Sequence, residues 1–137
     1  MPKFYYSLGV HMHQPPGNLN LLADHNEWEA QQIIHCYARA AKFALRYPKA
    51  CFHVDFSGIL LEQFRNPEII EKYRRWLDIP QMLSDYRKAG NTEIVGMGYF
   101  HPIFPLIPKD DWDEQLALGV EVAYEIFGQR PKGFWPS

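Results

Sequence analysis

The chain has 137 residues, of which 47% are hydrophobic, 22% charged and 15% aromatic, and its formal net charge is −2. This size and composition are typical of one globular domain with a substantial core. The slight negative charge, without a stripe of lysine and arginine, excludes nucleic acid as the main partner.

The N-terminus and the apolar runs indicate where the protein resides. No apolar run approaches the roughly 18 residues that span a bilayer, and the segment MPKFYYSLGV lacks a signal-peptide cleavage site. Cys36 and Cys51 lack CxxC spacing and are expected to be buried free thiols. We therefore predict a cytoplasmic protein without membrane association.

Strands and helices alternate along the first half of the chain. Residues 3–10 (KFYYSLGV) predict a buried strand that leads into a loop, PPGNLNLLADH. Asn26, with Glu29 three residues later, predicts the N-terminus of a helix that ends before Pro48. Its predicted apolar face comprises Ala30, Ile33, Ile34, Tyr37, Ala41, Ala44 and Leu45. Residues 50–56 (ACFHVDF) predict a second strand, and SGILLEQF predicts a short helix.

The second half continues the same alternation. Helices are predicted from Pro67 to Trp76 and from Pro80 to Ala89, followed by a third strand over residues 92–97. A last helix is predicted from a cap at Asp110 to Gly128, and residues 132–135 begin a fourth strand. This alternation predicts an α/β fold with a parallel sheet in a single domain.

Polar and aromatic residues gather at the predicted carboxyl ends of the strands, where parallel α/β folds place their ligand sites. They are His11, His13 and Gln14 after the first strand, Asp55 and Ser57 after the second, Glu93, Tyr99, Phe100 and His101 at and after the third, and Trp135 in the last. Hydrogen-bonding groups beside flat rings are typical of a carbohydrate site.

The residues alone leave three interpretations of VHMHQPP (residues 10–16) open. His11 and His13 lie on the same side of an extended strand, so with Asp55 and His101 they could ligate a metal ion, as in metal-dependent hydrolases and deacetylases. They could equally bind sugar hydroxyls, or serve only the hydrogen bonding of a loop. Glu93 could be a solvated edge residue; if it points inward, a histidine of the first strand is its expected partner.

Four ordered segments resemble the N-terminal part of glycoside hydrolase family 57. They are HMHQPPGN, FHVDFSGILLEQF, NTEIVGMGYFHPIFPLIP and RPKGFWPS. His13-Gln14-Pro15 is similar to the family's first signature and residues 90–93 are similar to its second, while GFWP is similar to a stretch that a glutamate typically follows. The family comprises α-amylases, 4-α-glucanotransferases, branching enzymes, amylopullulanases and α-galactosidases.

The resemblance implies a (β/α)7 barrel that acts on α-linked oligo- or polysaccharides with retention of configuration, with no cofactor and no metal. Retaining chemistry uses two carboxylates about 5–5.5 Å apart, and the resemblance places this nucleophile Glu and acid/base Asp downstream of this chain. No catalytic residue is therefore expected within it. Substrate binding is predicted for His11, His13, Gln14, Glu93, His101 and Trp135, with His13 and Glu93 at the donor subsite.

On this interpretation residues 1–137 are the truncated N-terminal part of one catalytic domain. They would supply the first three to four β/α units, and the incomplete barrel would expose a sheet edge that favours self-association. A non-catalytic carbohydrate-binding or interaction module is the remaining alternative.

Overall fold

The computed structural model describes residues 3–4 and 7–136. Within them, a parallel sheet in the order β1-β2-β3 packs against helices, which confirms the predicted α/β class. The elements are β1 (Gly9–Met12), α1 (Asn18–His25), α2 (Glu27–Arg46), β2 (Phe52–Phe56), α3 (Gly58–Arg65), α4 (Pro67–Tyr73), α5 (Ile79–Lys88), β3 (Thr92–Val95), two 3-10 turns (Phe104–Leu106 and Lys109–Asp111) and α6 (Trp112–Phe127).

The two faces of the sheet differ in polarity. The face toward the helices carries Val10, Met12, Val54, Phe56, Thr92 and Ile94, which are buried or half-buried. The opposite face carries Gly9, His11, His53, Asp55, Glu93 and Val95. Because side chains alternate along a strand, this polar face collects the histidines and carboxylates of all three strands.

The first strand begins later than predicted, at Gly9 instead of residue 3. Residues 5 and 6 of the predicted range lie outside the described residues. Gly9 lies opposite His53, near the start of β2, so the ladder between the strands begins there. The prediction of a buried strand is also wrong, because Met12 alone among the four residues of β1 is buried. His11 consequently lies within β1.

Helix α1 occupies the stretch that was predicted to be a loop. Gly17 precedes it in a left-handed conformation, with φ of 78°. Leu19 is fully buried, and its carbonyl accepts a hydrogen bond from the Tyr73 hydroxyl at 2.8 Å. Asn and Asp have low helix propensities, so the local signal for this short helix is weak and its packing decides the outcome.

The caps of the two long helices differ in how well they were predicted. Asn26 caps α2 as predicted: its side-chain oxygen accepts from the Glu29 amide at 3.2 Å, and its amide donates to the Glu29 carboxylate at 2.8 Å. The predicted cap of α6 at Asp110 is wrong, because Asp110 lies in the preceding 3-10 turn and α6 begins at Trp112. Gly128 ends α6 with φ of 72°, as predicted.

Smaller differences concern helix limits, exposed residues and the fourth strand. The helix predicted to reach Trp76 ends at Tyr73. Leu45, predicted on the buried face of α2, is 50% exposed. Cys36 and Cys51 are free as predicted, but both are exposed.

The predicted fourth strand consists of one parallel bridge between Gly96 and Phe134. In the described part of the chain, no helix is both long and apolar enough to cross a membrane.

Candidate functional site

Three histidine rings meet at the carboxyl ends of β1 and β2. His11 lies in β1, His13 follows that strand, and His101 lies in the loop after β3. The ring centroids of His13 and His101 are 4.0 Å apart, and those of His11 and His101 are 4.9 Å apart. The Nε2 atoms of His11 and His101 are 2.9 Å apart, within hydrogen-bond distance. We call these three residues the histidine cluster.

Asp55 of β2 lies beside the cluster on the same face of the sheet. It is directly opposite His11 in the register, and its Oδ1 is 2.7 Å from His11 Nδ1. The same oxygen accepts a hydrogen bond from the Met12 amide at 3.3 Å. Asp55 is only 3% exposed. This burial raises the pKa of Asp55, and the contact with His11 partly offsets the effect.

Ser57 contacts His13, the second histidine of the cluster. Its hydroxyl lies 2.9 Å from His13 Nδ1, and it also caps α3 by accepting from the Leu60 amide at 3.4 Å. Burial, followed by the proximity of His101 and His11, lowers the pKa of His13 to about 4. Burial and the proximity of His11 also lower the pKa of His101. His13 is therefore neutral at pH 7.

Helix α6 fixes the position of His101. His101 has φ of 56°, and no other non-glycine residue in the described ranges has a positive φ. A left-handed conformation costs a non-glycine residue roughly 1–2 kcal/mol. Gln115 of α6 offsets this cost by accepting hydrogen bonds from the two preceding backbone amides. Its backbone carbonyl accepts from the Tyr99 amide at 3.1 Å, and its side-chain oxygen accepts from the Phe100 amide at 3.0 Å.

Trp135 lies beside the histidine cluster, whereas Gln14 does not contact it. The Trp135 ring centroid lies 6.3 Å from that of His11 at an interplanar angle of 26°, and the ring is 48% exposed. Gln14 instead holds the loop between β1 and α1: its side chain accepts from Asn18 and its carbonyl accepts from Gln63 at 3.1 Å.

Glu93 lies on the same face as the cluster but further toward the amino end of the sheet. It is opposite His53, two residues before Val95, which lies opposite Asp55. Two strand residues correspond to about 7 Å. Its carboxylate is 3.2 Å from His53 Nε2. The Glu93 side chain is 44% exposed, which is closer to the solvated alternative than to the buried one, and its histidine partner comes from β2 instead of the first strand.

Two residues of the site were missed or misassigned at the level of sequence. Gln115 carries no motif, because it acts through backbone amides of a loop about 15 residues away in sequence. Asp55 was predicted among the polar residues of a carbohydrate site or as a metal ligand, and its support of His11 was not anticipated, although its contacts are with His11 and the Met12 amide. The alternation HVDF in β2, read in register with VHM in β1, is the signal that pairs it with His11.

The geometry does not support the metal-site alternative. Within the described residues, no group of three or more His, Cys, Asp and Glu side chains is arranged to hold a metal ion. The Nδ1 atoms of His11 and His13 contact Asp55 and Ser57, and His11 Nε2 contacts His101. These contacts account for both nitrogens of His11 and for Nδ1 of His13 through protein partners.

The pKa of His13 predicts how stability depends on pH. Between pH 6.5 and about 4 the unfolded chain protonates this imidazole and the folded chain does not, so the free energy of unfolding is expected to fall as the pH falls. His101 acts in the same direction, and Asp55, whose pKa is raised, acts in the opposite one. Urea unfolding at about pH 7, 5.5 and 4.5 measures the effect. His13→Gln should flatten the dependence; identical profiles for the two proteins would contradict the prediction.

Comparison with protein-family models assigns the chain. The model of glycosyl hydrolase family 57 matches residues 7–137. The chain belongs to glycosyl hydrolase family 57. The resemblance predicted from the four sequence segments is thus confirmed.

Relatives within family 57 include enzymes of two named activities. The chain is 33% identical to alpha-amylase 1 of Dictyoglomus thermophilum, covering 96% of the chain and 17% of that protein. It is 29% identical to the 4-alpha-glucanotransferase of Thermococcus litoralis, covering 98% of the chain and 18% of that protein. The chain thus spans less than a fifth of the length of these relatives.

Solved structures agree with the family 57 assignment. The crystal structure of the Thermococcus litoralis 4-alpha-glucanotransferase matches with a TM-score of 0.63 at 28% identity, over 95% of this chain and 18% of that one. A branching enzyme from Thermococcus kodakaraensis matches with a TM-score of 0.67 at 17% identity, over 95% and 32% of the two chains, and this likeness concerns the fold.

Proposed function

We propose that this chain forms a substrate-binding rim of an enzyme that acts on α-glucans, as a retaining glycoside hydrolase or a 4-α-glucanotransferase. The observation that carries the proposal is the histidine cluster, with Trp135 beside it, in a chain of family 57. The relatives named alpha-amylase and 4-alpha-glucanotransferase supply the two candidate activities.

The chemistry of the rim suits a sugar. A sugar hydroxyl both donates and accepts hydrogen bonds, and a neutral imidazole offers one donor and one acceptor nitrogen. The Ser57 hydroxyl can donate to His13 Nδ1 or accept from it, so His13 can present either role at Nε2. The half-exposed Trp135 ring offers a flat face for a pyranose ring. The cluster therefore combines directional polar groups with an apolar platform.

The pair of catalytic carboxylates is proposed to come from other segments of the enzyme. Retaining chemistry places two carboxylates about 5–5.5 Å apart at the scissile bond. Asp55 is buried beside His11 and bonded to the Met12 amide, which suits a supporting role. In this proposal β1, β2 and β3 are the first strands of a (β/α)7 barrel, in a single catalytic domain of which this chain is the N-terminal part.

Three further predicted properties remain proposals. The free, exposed state of both cysteines supports a cytoplasmic location. Glu93 is proposed to contact substrate from the same face of the sheet as the histidine cluster, with His53 as its neighbour. The chain is also proposed to self-associate through the outer edge of β1, which is an edge strand of the sheet.

Binding of linear oligosaccharides tests the proposed function. We expect isothermal titration calorimetry to show binding of α-linked maltoheptaose to the purified protein and none of β-linked cellohexaose. Trp135→Ala should weaken maltoheptaose binding several-fold, because an aromatic contact contributes about 0.5–1.5 kcal/mol. Trp28→Ala is the matched control, since Trp28 is 71% exposed on α2. Equal binding of both sugars, or an unchanged affinity of Trp135→Ala, would refute the proposal.

A further inference from the structure

We propose that Asp55 is a positioning residue that fixes which nitrogens of His11 and His101 carry hydrogen. The consequence for substrate recognition rests on the proposed function above, whereas the hydrogen-bond order itself does not. Asp55 makes its side-chain hydrogen bond to His11, and His11 in turn contacts His101, so Asp55 acts on His101 only through His11.

The first step concerns the pair Asp55 and His11. A carboxylate accepts hydrogen bonds and cannot donate them. With Asp55 Oδ1 at 2.7 Å, His11 Nδ1 must therefore carry the hydrogen, and the neutral His11 ring is left with a lone pair on Nε2. The Met12 amide donates to the same oxygen at 3.3 Å and holds the carboxylate in place. On its other side Asp55 lies opposite Val95, an apolar residue, so β3 offers no competing donor at that register position.

The second step concerns the pair His11 and His101. Their Nε2 atoms are 2.9 Å apart, so one hydrogen lies between them. Because Nε2 of His11 already holds a lone pair, His101 must donate from its own Nε2. A neutral His101 then has a lone pair on Nδ1. The order of donation runs from His101 to His11 to Asp55, and it leaves the lone pair of His101 on Nδ1.

The third step compares His13 with the hydrogen-bonded series His101, His11 and Asp55. The partner of His13 Nδ1 is the Ser57 hydroxyl, which can donate or accept, so this contact does not fix the tautomer of His13. The cluster thus combines one histidine of fixed polarity, His101, with one of adaptable polarity, His13. In an α-glucan site His101 is committed to His11 through Nε2, and His13 would accept a hydroxyl in either orientation.

Nitrogen-15 NMR of the histidine-labelled protein tests the hydrogen-bond order directly. For the wild type we expect a pyrrole-type signal for His11 Nδ1 and for His101 Nε2, and a pyridine-type signal for the other nitrogen of each ring. Asp55→Asn keeps the shape of the side chain but can donate as well as accept, so it no longer fixes the tautomer of His11, and a second population with the opposite tautomer should appear for both rings. Asp55→Ala should shift them as well. The order is overturned if wild-type His11 carries its hydrogen on Nε2, or if Asp55→Ala leaves both rings unchanged.

Two controls separate positioning from folding and from sugar binding. Ser57→Ala should alter the signals of His13 and leave those of His11 and His101 in place, and the circular dichroism spectrum reports whether each variant folds. With maltoheptaose as the probe, Asp55→Asn should weaken binding by about tenfold. If the wild type shows the expected tautomers but binds no maltoheptaose, the proposed function fails and the role of Asp55 stands. If maltoheptaose binds and the tautomers differ from those expected, the role of Asp55 fails alone.

Discussion

Gly119→Ala is expected to lower the free energy of unfolding by about 2 kcal/mol and to displace His101. A Cβ atom at residue 119 would lie 2.2 Å from the carbonyl oxygen of Met97 and 3.6 Å from the amide nitrogen of Tyr99. The oxygen belongs to the backbone and cannot rotate away, so helix α6 must move from the loop after β3. Such overpacking costs about 1–3 kcal/mol or more, and the higher helix propensity of alanine returns at most about 1 kcal/mol.

The same substitution reaches the site because Gln115 lies one helical turn before Gly119. Gln115 accepts the hydrogen bonds of the Tyr99 and Phe100 amides that hold the turn around His101. Moving α6 away from Met97 lengthens both bonds, and the left-handed conformation of His101 then loses its support.

Urea unfolding measures the stability change, and the His101 NMR signals report the displacement. Gly90→Ala is the matched control: no atom lies within 4 Å of the added Cβ and the φ of Gly90 is not positive, so its stability should be unchanged or higher by about 0.4–1 kcal/mol. Equal stabilities of the two variants would show that α6 does not contact the loop as described.

Local sequence patterns predicted the parts of the fold that local physics decides. The cap at Asn26 and the end of α6 at Gly128 depend on hydrogen bonds and backbone conformations within a few residues, and both predictions were confirmed. The predicted start of β1 was wrong because a strand begins where its neighbour can form backbone hydrogen bonds with it. That neighbour, β2, lies about 40 residues away in the sequence. Helix α1 was missed for the same reason: its burial against Tyr73 is a tertiary contact.

The candidate site shows the same division. The rule that ligand sites lie at the carboxyl ends of parallel strands brought together His11, His13, His101 and Trp135. It failed to locate Glu93, which lies near the start of β3 and pairs with His53. It could not supply Gln115, because the positive φ of His101 and the amides that need acceptors are visible only once α6 is packed on the loop.

His13→Ala is expected to weaken binding of maltoheptaose by about tenfold or more. His13 lies between the other parts of the cluster: its Nδ1 contacts Ser57 at 2.9 Å and its ring stacks on His101 at 4.0 Å. Removing the imidazole deletes the proposed hydrogen bond to the sugar and leaves the Ser57 hydroxyl and the His101 ring without their neighbour. Removing one hydrogen-bond partner of the buried Ser57 hydroxyl costs about 1–3 kcal/mol. His25→Ala, an exposed histidine in the last turn of α1, is the control.

Two isosteres show which nitrogen of His13 binds the sugar. The asparagine amide lies near the position of Nδ1 and preserves the contact with Ser57, whereas the glutamine amide reaches the position of Nε2. If Nε2 meets the substrate, His13→Gln should recover more of the maltoheptaose affinity than His13→Asn. Because His13 is neutral above about pH 5, given its pKa of about 4, neither substitution removes a charge at pH 7, and the difference between them measures hydrogen bonding alone. An alanine variant that binds maltoheptaose as tightly as the wild type would remove His13 from the site and leave Trp135 and His101 to recognise the sugar.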